Sequence, residues 1–71
     1  NIQGEIKAIG GLDNKIRGGI KANITDFIIP YENKRDYDLF YNKLTDKTIL
    51  NNINIHMVKN IEEVFEMIFL K

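Results

Sequence analysis

Apolar residues recur along this chain at two different periods, and the switches between them divide it into elements. Leu12, Ile16, Ile20 and Ile24 return every fourth residue, the spacing of a single helical stripe. Lys15, Gly18, Gly19 and Ala22 lie beside that stripe, because residues three and four apart share a face. A glycine inside a helix costs roughly 1 kcal/mol relative to alanine. Two in succession therefore imply a loosened helix or a backbone pressed against a neighbour, and the second would hold Lys15 beside a crowded wall.

The pattern then changes. Asn23-Ile24-Thr25 reads as an exit turn, and Asp26-Phe27-Ile28-Ile29 as a short buried strand stopped by Pro30. Residues 30–33 form a loop in which Asn33 can cap a second helix, whose stripe is Tyr37, Phe40, Tyr41 and Leu44. Thr45 to Asn52 is polar and reads as a loop or frayed turn. Ile53, Ile55 and Met57 alternate with Asn54, His56 and Val58, as in a strand with one apolar face. Asn60 with Glu63 three residues on has the form of a capping box, opening a last helix with Ile61, Val64, Phe65 and Ile68 as its buried stripe. Before the first helix, Ile2 to Ile9 alternates only in part, with Gly4 marking a turn or bulge between two extended pieces. Strands alternating with helices predict an α/β piece: βα units on a small, mostly parallel sheet, without internal repeat or linker.

Composition narrows the function classes. At 71 residues the chain makes at most one small domain. Lys plus Arg equals Asp plus Glu at 10 each, so no net field recruits nucleic acid or an anionic membrane. Apolar runs are short, the longest being Met67–Leu70, and none predicts a membrane span. With no cysteine and a single histidine, neither a disulfide framework nor a structural zinc site is expected.

The candidate chemistry sits in Gly10-Gly11-Leu12-Asp13-Asn14-Lys15, a glycine pair leaving an extended segment with a lysine soon after the helix start. A lysine in that context can hold an anion or, once its charged form is disfavoured, act as a base. Free lysine titrates near ~10.4, and both burial and the positive end of a helix favour the neutral amine. A carboxylate at Asp13 opposes this if it pairs with Lys15, and the sequence leaves that pairing open. The glycine pair could also cradle a phosphate, but no G-x-G-x-x-G or Walker pattern accompanies it.

From Gly4 to Asp36 the chain resembles the C-terminal half of the proteolytic domain of Lon, the ATP-dependent protease. The resemblance is carried by Gly4 to Leu12, Lys15, Gly18-Gly19-Ile20-Lys21, Phe27-Ile28-Ile29-Pro30 and Tyr31-Glu32-Asn33-Lys34-Arg35-Asp36. The stretch from Ile55 to Val64 is similar to the family's closing strand and helix. The resemblance implies a Ser–Lys dyad peptidase that degrades misfolded or regulatory proteins as a hexameric ring. ATP and Mg2+ belong to its separate ATPase module, and no cofactor is implied for residues 1–71. It implies an intracellular place: bacterial cytoplasm or, in a eukaryote, a mitochondrial or other organelle matrix. The family's dyad lysine follows the Gly-Gly turn by four positions, which is Lys15 here. The family's serine lies upstream, and this chain contains no serine, so residues 1–71 are expected to carry half of a dyad. Ala8 stands where the family often has proline, Asp13-Asn14 replaces a more usual charged pair, and residues 41–52 run longer than typical.

Most helix lysines are simply solvated, and without the resemblance Lys15 would read as one of them. His56 reads as structural, the aromatic cluster of Tyr37, Phe40 and Tyr41 as core, and Arg17, Lys34, Arg35 and Lys43 as surface charges. Two alternatives to the peptidase fragment stand beside it. One is a non-catalytic α/β module for assembly or binding, the other a phosphate-binding βα module.

Overall fold

A computed structural model describes residues 6–70. Within them the elements run α1 (Leu12–Lys21), β1 (Asp26–Pro30), a 3-10 turn (Tyr31–Asn33), α2 (Lys34–Lys43), a second 3-10 turn (Lys47–Leu50), β2 (Asn54–Val58) and α3 (Ile61–Phe69). The two strands pair in parallel with Asp26 opposite Asn54 and Pro30 opposite Val58. The α/β expectation with a small parallel sheet holds. The extended pieces expected over Ile2–Glu5, with the bulge at Gly4, lie outside the described residues; Ile6 to Ile9 form no regular strand.

The core is built where the two apolar periods meet. Leu12 and Ile16 from α1, Ile29 from β1, Phe40 from α2 and Leu44 just after it form one buried cluster. Phe27, Ile55 and Met57 pack against it, so alternate positions of both strands face the same layer. On the opposite face Ile28 and His56 share a cleft with Met67 and Ile68 of α3. The sheet thus lies between α1 and α2 on one side and α3 on the other.

The helix ends follow from local chemistry. Helix α1 stops in a Schellman arrangement: Asn23, at φ 65°, donates to the Ile20 carbonyl, and Ile24 donates to that of Gly19. Ile24 therefore lies beyond the helix and is exposed, so the stripe ends at Ile20. At α3 the expected cap forms, with the Glu63 amide donating to Asn60 Oδ1 at 3.0 Å. Glu63 Oε1 in turn accepts from the Lys59 amide, one residue earlier than a standard box would use.

Four expectations are corrected. Residues 45–52 are not only a loop: Asp46 accepts from the Thr48 amide and opens the second 3-10 turn, which presses Ile49 and Leu50 onto the core. Tyr41 is exposed, because α2 turns only Phe40 fully inward and leaves Tyr37 half-buried. The stripe of α3 is not buried: Ile61, Phe65 and Ile68 are all more than half exposed and Val64 half-buried, since the described residues set against this helix mainly the strand pair, β2 foremost. Asn33 stands at the N-cap position of α2 but makes no capping bond, its amide being engaged elsewhere.

Candidate functional site

Two glycines aim the start of α1. Gly11 adopts the left-handed conformation (φ 66°, ψ 35°), which a residue with a Cβ enters at a cost of about 1–2 kcal/mol. The helix begins immediately after it, and the Lys15 amide donates to the Gly11 carbonyl at 3.1 Å. Leu12 and Ile16 anchor the helix in the core. Lys15, one step round from that stripe, is therefore exposed and lies just past the first turn, where the positive end of the helix is still felt.

The competition left open for Asp13 is resolved in favour of another partner. Asp13 Oδ1 accepts from Arg17 Nε at 2.6 Å, an i,i+4 pair on the helix surface. The Arg17 guanidinium also lies 5.4 Å from the centre of the Phe40 ring, which holds it on the α2 side. The Lys15 side chain makes no hydrogen bond or ion pair with any described residue. The crowded wall expected beside it lies one turn further on. A Cβ at Gly19 would come within 2.5 Å of the Phe27 ring, whereas one at Gly18 would meet nothing within 4 Å. The glycine pair is thus one close approach and one open position.

The approach to the glycine turn is gripped from the far side of β1. Asn33 is fully buried; its Oδ1 accepts from the Ile9 amide at 2.9 Å and its Nδ2 donates to the Ile9 carbonyl at 2.8 Å. The same Nδ2 donates to Asp36 Oδ2 at 3.1 Å, and Glu32 Oε1 accepts from the Ala8 amide at 3.1 Å. A cleft of about 320 Å³ opens between the turn and α2, lined by Gly10, Gly11, Asp13, Asp36, Phe40 and Lys43. Lys15 is not in its lining. Two carboxylates against one ammonium make this cleft a poor phosphate cradle, which weakens the phosphate-binding alternative.

The sequence singles out Lys15 but gives no sign of Asn33 on Ile9 or of Glu32 on Ala8. The only local signal was a polar residue between a strand and a helix, and that signal points equally to a cap. His56, expected to be structural, has its Nε2 3.2 Å from Asp26 Oδ1 across the two strands. That contact, followed by those of Thr25 and Asn54, holds the Asp26 carboxyl below the usual aspartate range. Among the described residues no three His, Cys, Asp or Glu cluster as a metal-ligand set. No helix among them is long and apolar enough to cross a membrane.

Comparison with known proteins shows the family. A Lon protease of Buchnera aphidicola from Acyrthosiphon pisum is 38% identical over 66 residues, covering 93% of this chain and 8% of that protein. The Lon protease of Escherichia coli K12 is 36% identical over the same shares. A mitochondrial Lon protease homolog of Phaeodactylum tricornutum is 32% identical over 69 residues, covering 97% of this chain and 7% of its own. The chain thus spans less than a tenth of the length of these relatives. The family model described as the Lon protease (S16) C-terminal proteolytic domain matches residues 1–71, and the chain belongs to that family.

Proposed function

We propose that residues 1–71 are the C-terminal half of a Lon-type proteolytic domain and supply Lys15 as the general base of a Ser–Lys dyad. The serine comes from residues beyond this chain, which has none. The parent protein on this reading is an ATP-dependent serine endopeptidase of the bacterial cytoplasm or an organelle matrix. It works as a hexameric ring on misfolded or regulatory proteins, and the ATP and Mg2+ are handled in another module.

The observation that carries this reading is the state of Lys15. It follows the left-handed glycine turn on a helix anchored by Leu12 and Ile16, and the nearby Asp13 is occupied by Arg17. Its backbone is therefore held in place, and among the described residues no carboxylate pairs with its side chain. In the proposed reaction Lys15 Nζ takes the serine hydroxyl proton as the oxygen attacks the scissile carbonyl. It then delivers a proton to the leaving amine, leaving an acyl-enzyme that water hydrolyses. A base must also be taken out of water. Lys15 is exposed among residues 6–70, so the covering surface belongs to the part of the protein that brings the serine.

Replacing Lys15 with Ala in the full-length protein is expected to abolish peptide cleavage while leaving assembly intact, as read by peptidase assay and size-exclusion chromatography. Retained peptidase activity would overturn the assignment. One observation favours a second reading, the assembly module: the apolar face of α3 stands open, with Phe65 and Phe69 stacked on it 4.7 Å apart. An active parent protein that depends on Lys15 decides against that reading.

A further inference from the structure

We infer that Asn33 is a positioning residue for Lys15: its buried carboxamide fixes the Ile9 peptide and so sets where α1 begins. The inference rests on the reading of Lys15 as general base and names a residue on which that base depends.

Asn33 is the one buried polar side chain among the described residues, at 0% exposure. Burying a carboxamide is unfavourable unless its groups are bonded, and here both ends are, to the two polar groups of a single residue 24 positions away. A side-chain amide carries the same donor and acceptor as a peptide, so Asn33 takes the place of a neighbouring strand at a point where no described strand runs. Capping α2 does not account for its burial, because it makes no capping bond.

The turn between this clamp and Lys15 has little support of its own. Neither Gly10 nor Gly11 has any atom within 4 Å of where a Cβ would stand, and glycine is the residue least able to hold its own dihedrals. The entry of α1 is therefore fixed from outside: downstream by Leu12 and Ile16 in the core, upstream by Asn33 on Ile9, with Glu32 on Ala8 beside it. Releasing the upstream hold lets the first turn drift while the core stays packed. A base displaced by about 1 Å from its reacting partner can lose on the order of 100-fold in rate.

The test uses the full-length protein with Asn33→Asp, Asn33→Ala and, in parallel, Lys15→Ala. Active sites are counted with a peptidyl boronate that titrates the serine nucleophile, so loss of folded enzyme is separated from loss of rate. The aspartate variant keeps the acceptor for the Ile9 amide but sets its other oxygen against the Ile9 carbonyl and Asp36, so the alanine variant, which only empties the site, reports where the aspartate variant fails to fold. The expected result is a fall of about tenfold or more in kcat per titrated site with KM nearly unchanged. The pH profile of kcat/KM should also be displaced, a readout that a merely structural residue would leave alone. Unchanged kcat per site and pH profile, with Lys15→Ala inactive, would overturn the positioning role and leave the base assignment standing. Full activity in Lys15→Ala would overturn the base assignment, and the inference with it.

Discussion

Helices α1 and α3 carry apolar stripes of similar regularity, yet they end in opposite environments. In α1 the stripe disappears into the molecule, with Ile16 1% exposed. In α3 Phe65 is 54% and Ile68 53% exposed. The difference lies in what each helix meets. Helix α1 is followed by a strand and a second helix that close over it, whereas among the described residues α3 meets mainly the outer face of the two-stranded sheet. An amphipathic period thus states that a face is made to be covered, and the rest of the fold decides by what.

The largest effect that would break this contrast is expected from truncating the two stripes. Ile16→Ala should destabilise the 71-residue chain by about 2–5 kcal/mol in urea unfolding, since it empties a packed site. Phe65→Ala should cost about 1 kcal/mol or less, mostly the lost contact with Phe69. Equal losses at both positions would mean that the face of α3 is covered after all.

A smaller effect separates the two glycines of α1. Gly18→Ala should stabilise by about 0.5–1 kcal/mol, because the new methyl enters open space and the helix gains propensity. Gly19→Ala should instead destabilise by about 1 kcal/mol net, as the Phe27 ring has to move out of the core layer. Thermal unfolding of the two variants checks the sign of each.

The smallest effect belongs to the strand pair. The Asp26 carboxyl is held below its ordinary range chiefly by His56, so its contribution is present above that range and is lost as pH falls through it. Asp26→Asn should lower the neutral plateau of the stability profile slightly and flatten its acid limb, because the contribution lost on acidification is then absent at every pH. An unaltered acid limb would mean that the contact between strands is too solvated to count.

Much of this was legible in the sequence because it rests on short-range chemistry. The strand stopped by Pro30, the cap at Asn60 and the stripe Leu12–Ile16–Ile20 each depend on neighbours within four residues, and each is found. Lys15 was legible through its spacing from Gly10-Gly11 and the family resemblance, and no local pattern alone would have separated it from a solvated lysine. What stayed hidden was long-range: Asn33 binding Ile9, Gly19 meeting Phe27, and Asp13 choosing Arg17 over Lys15. Propensity assigns Asn33 to a cap because a cap is the nearest use for its amide. Tertiary closure gives that amide to a residue 24 positions back.

The parallel pairing of β1 and β2 also orders events during synthesis. Asp26 cannot find Asn54 until the whole of α2 and its flanking turns have left the ribosome, because parallel strands require a crossover between them. Until then β1 lacks β2, and among the described residues made earlier Phe27 and Ile29 have only α1 and the growing α2 to shelter against. The nascent chain therefore spends an interval with that edge of β1 not yet paired to β2, and the interval ends when Asn54 to Val58 emerge.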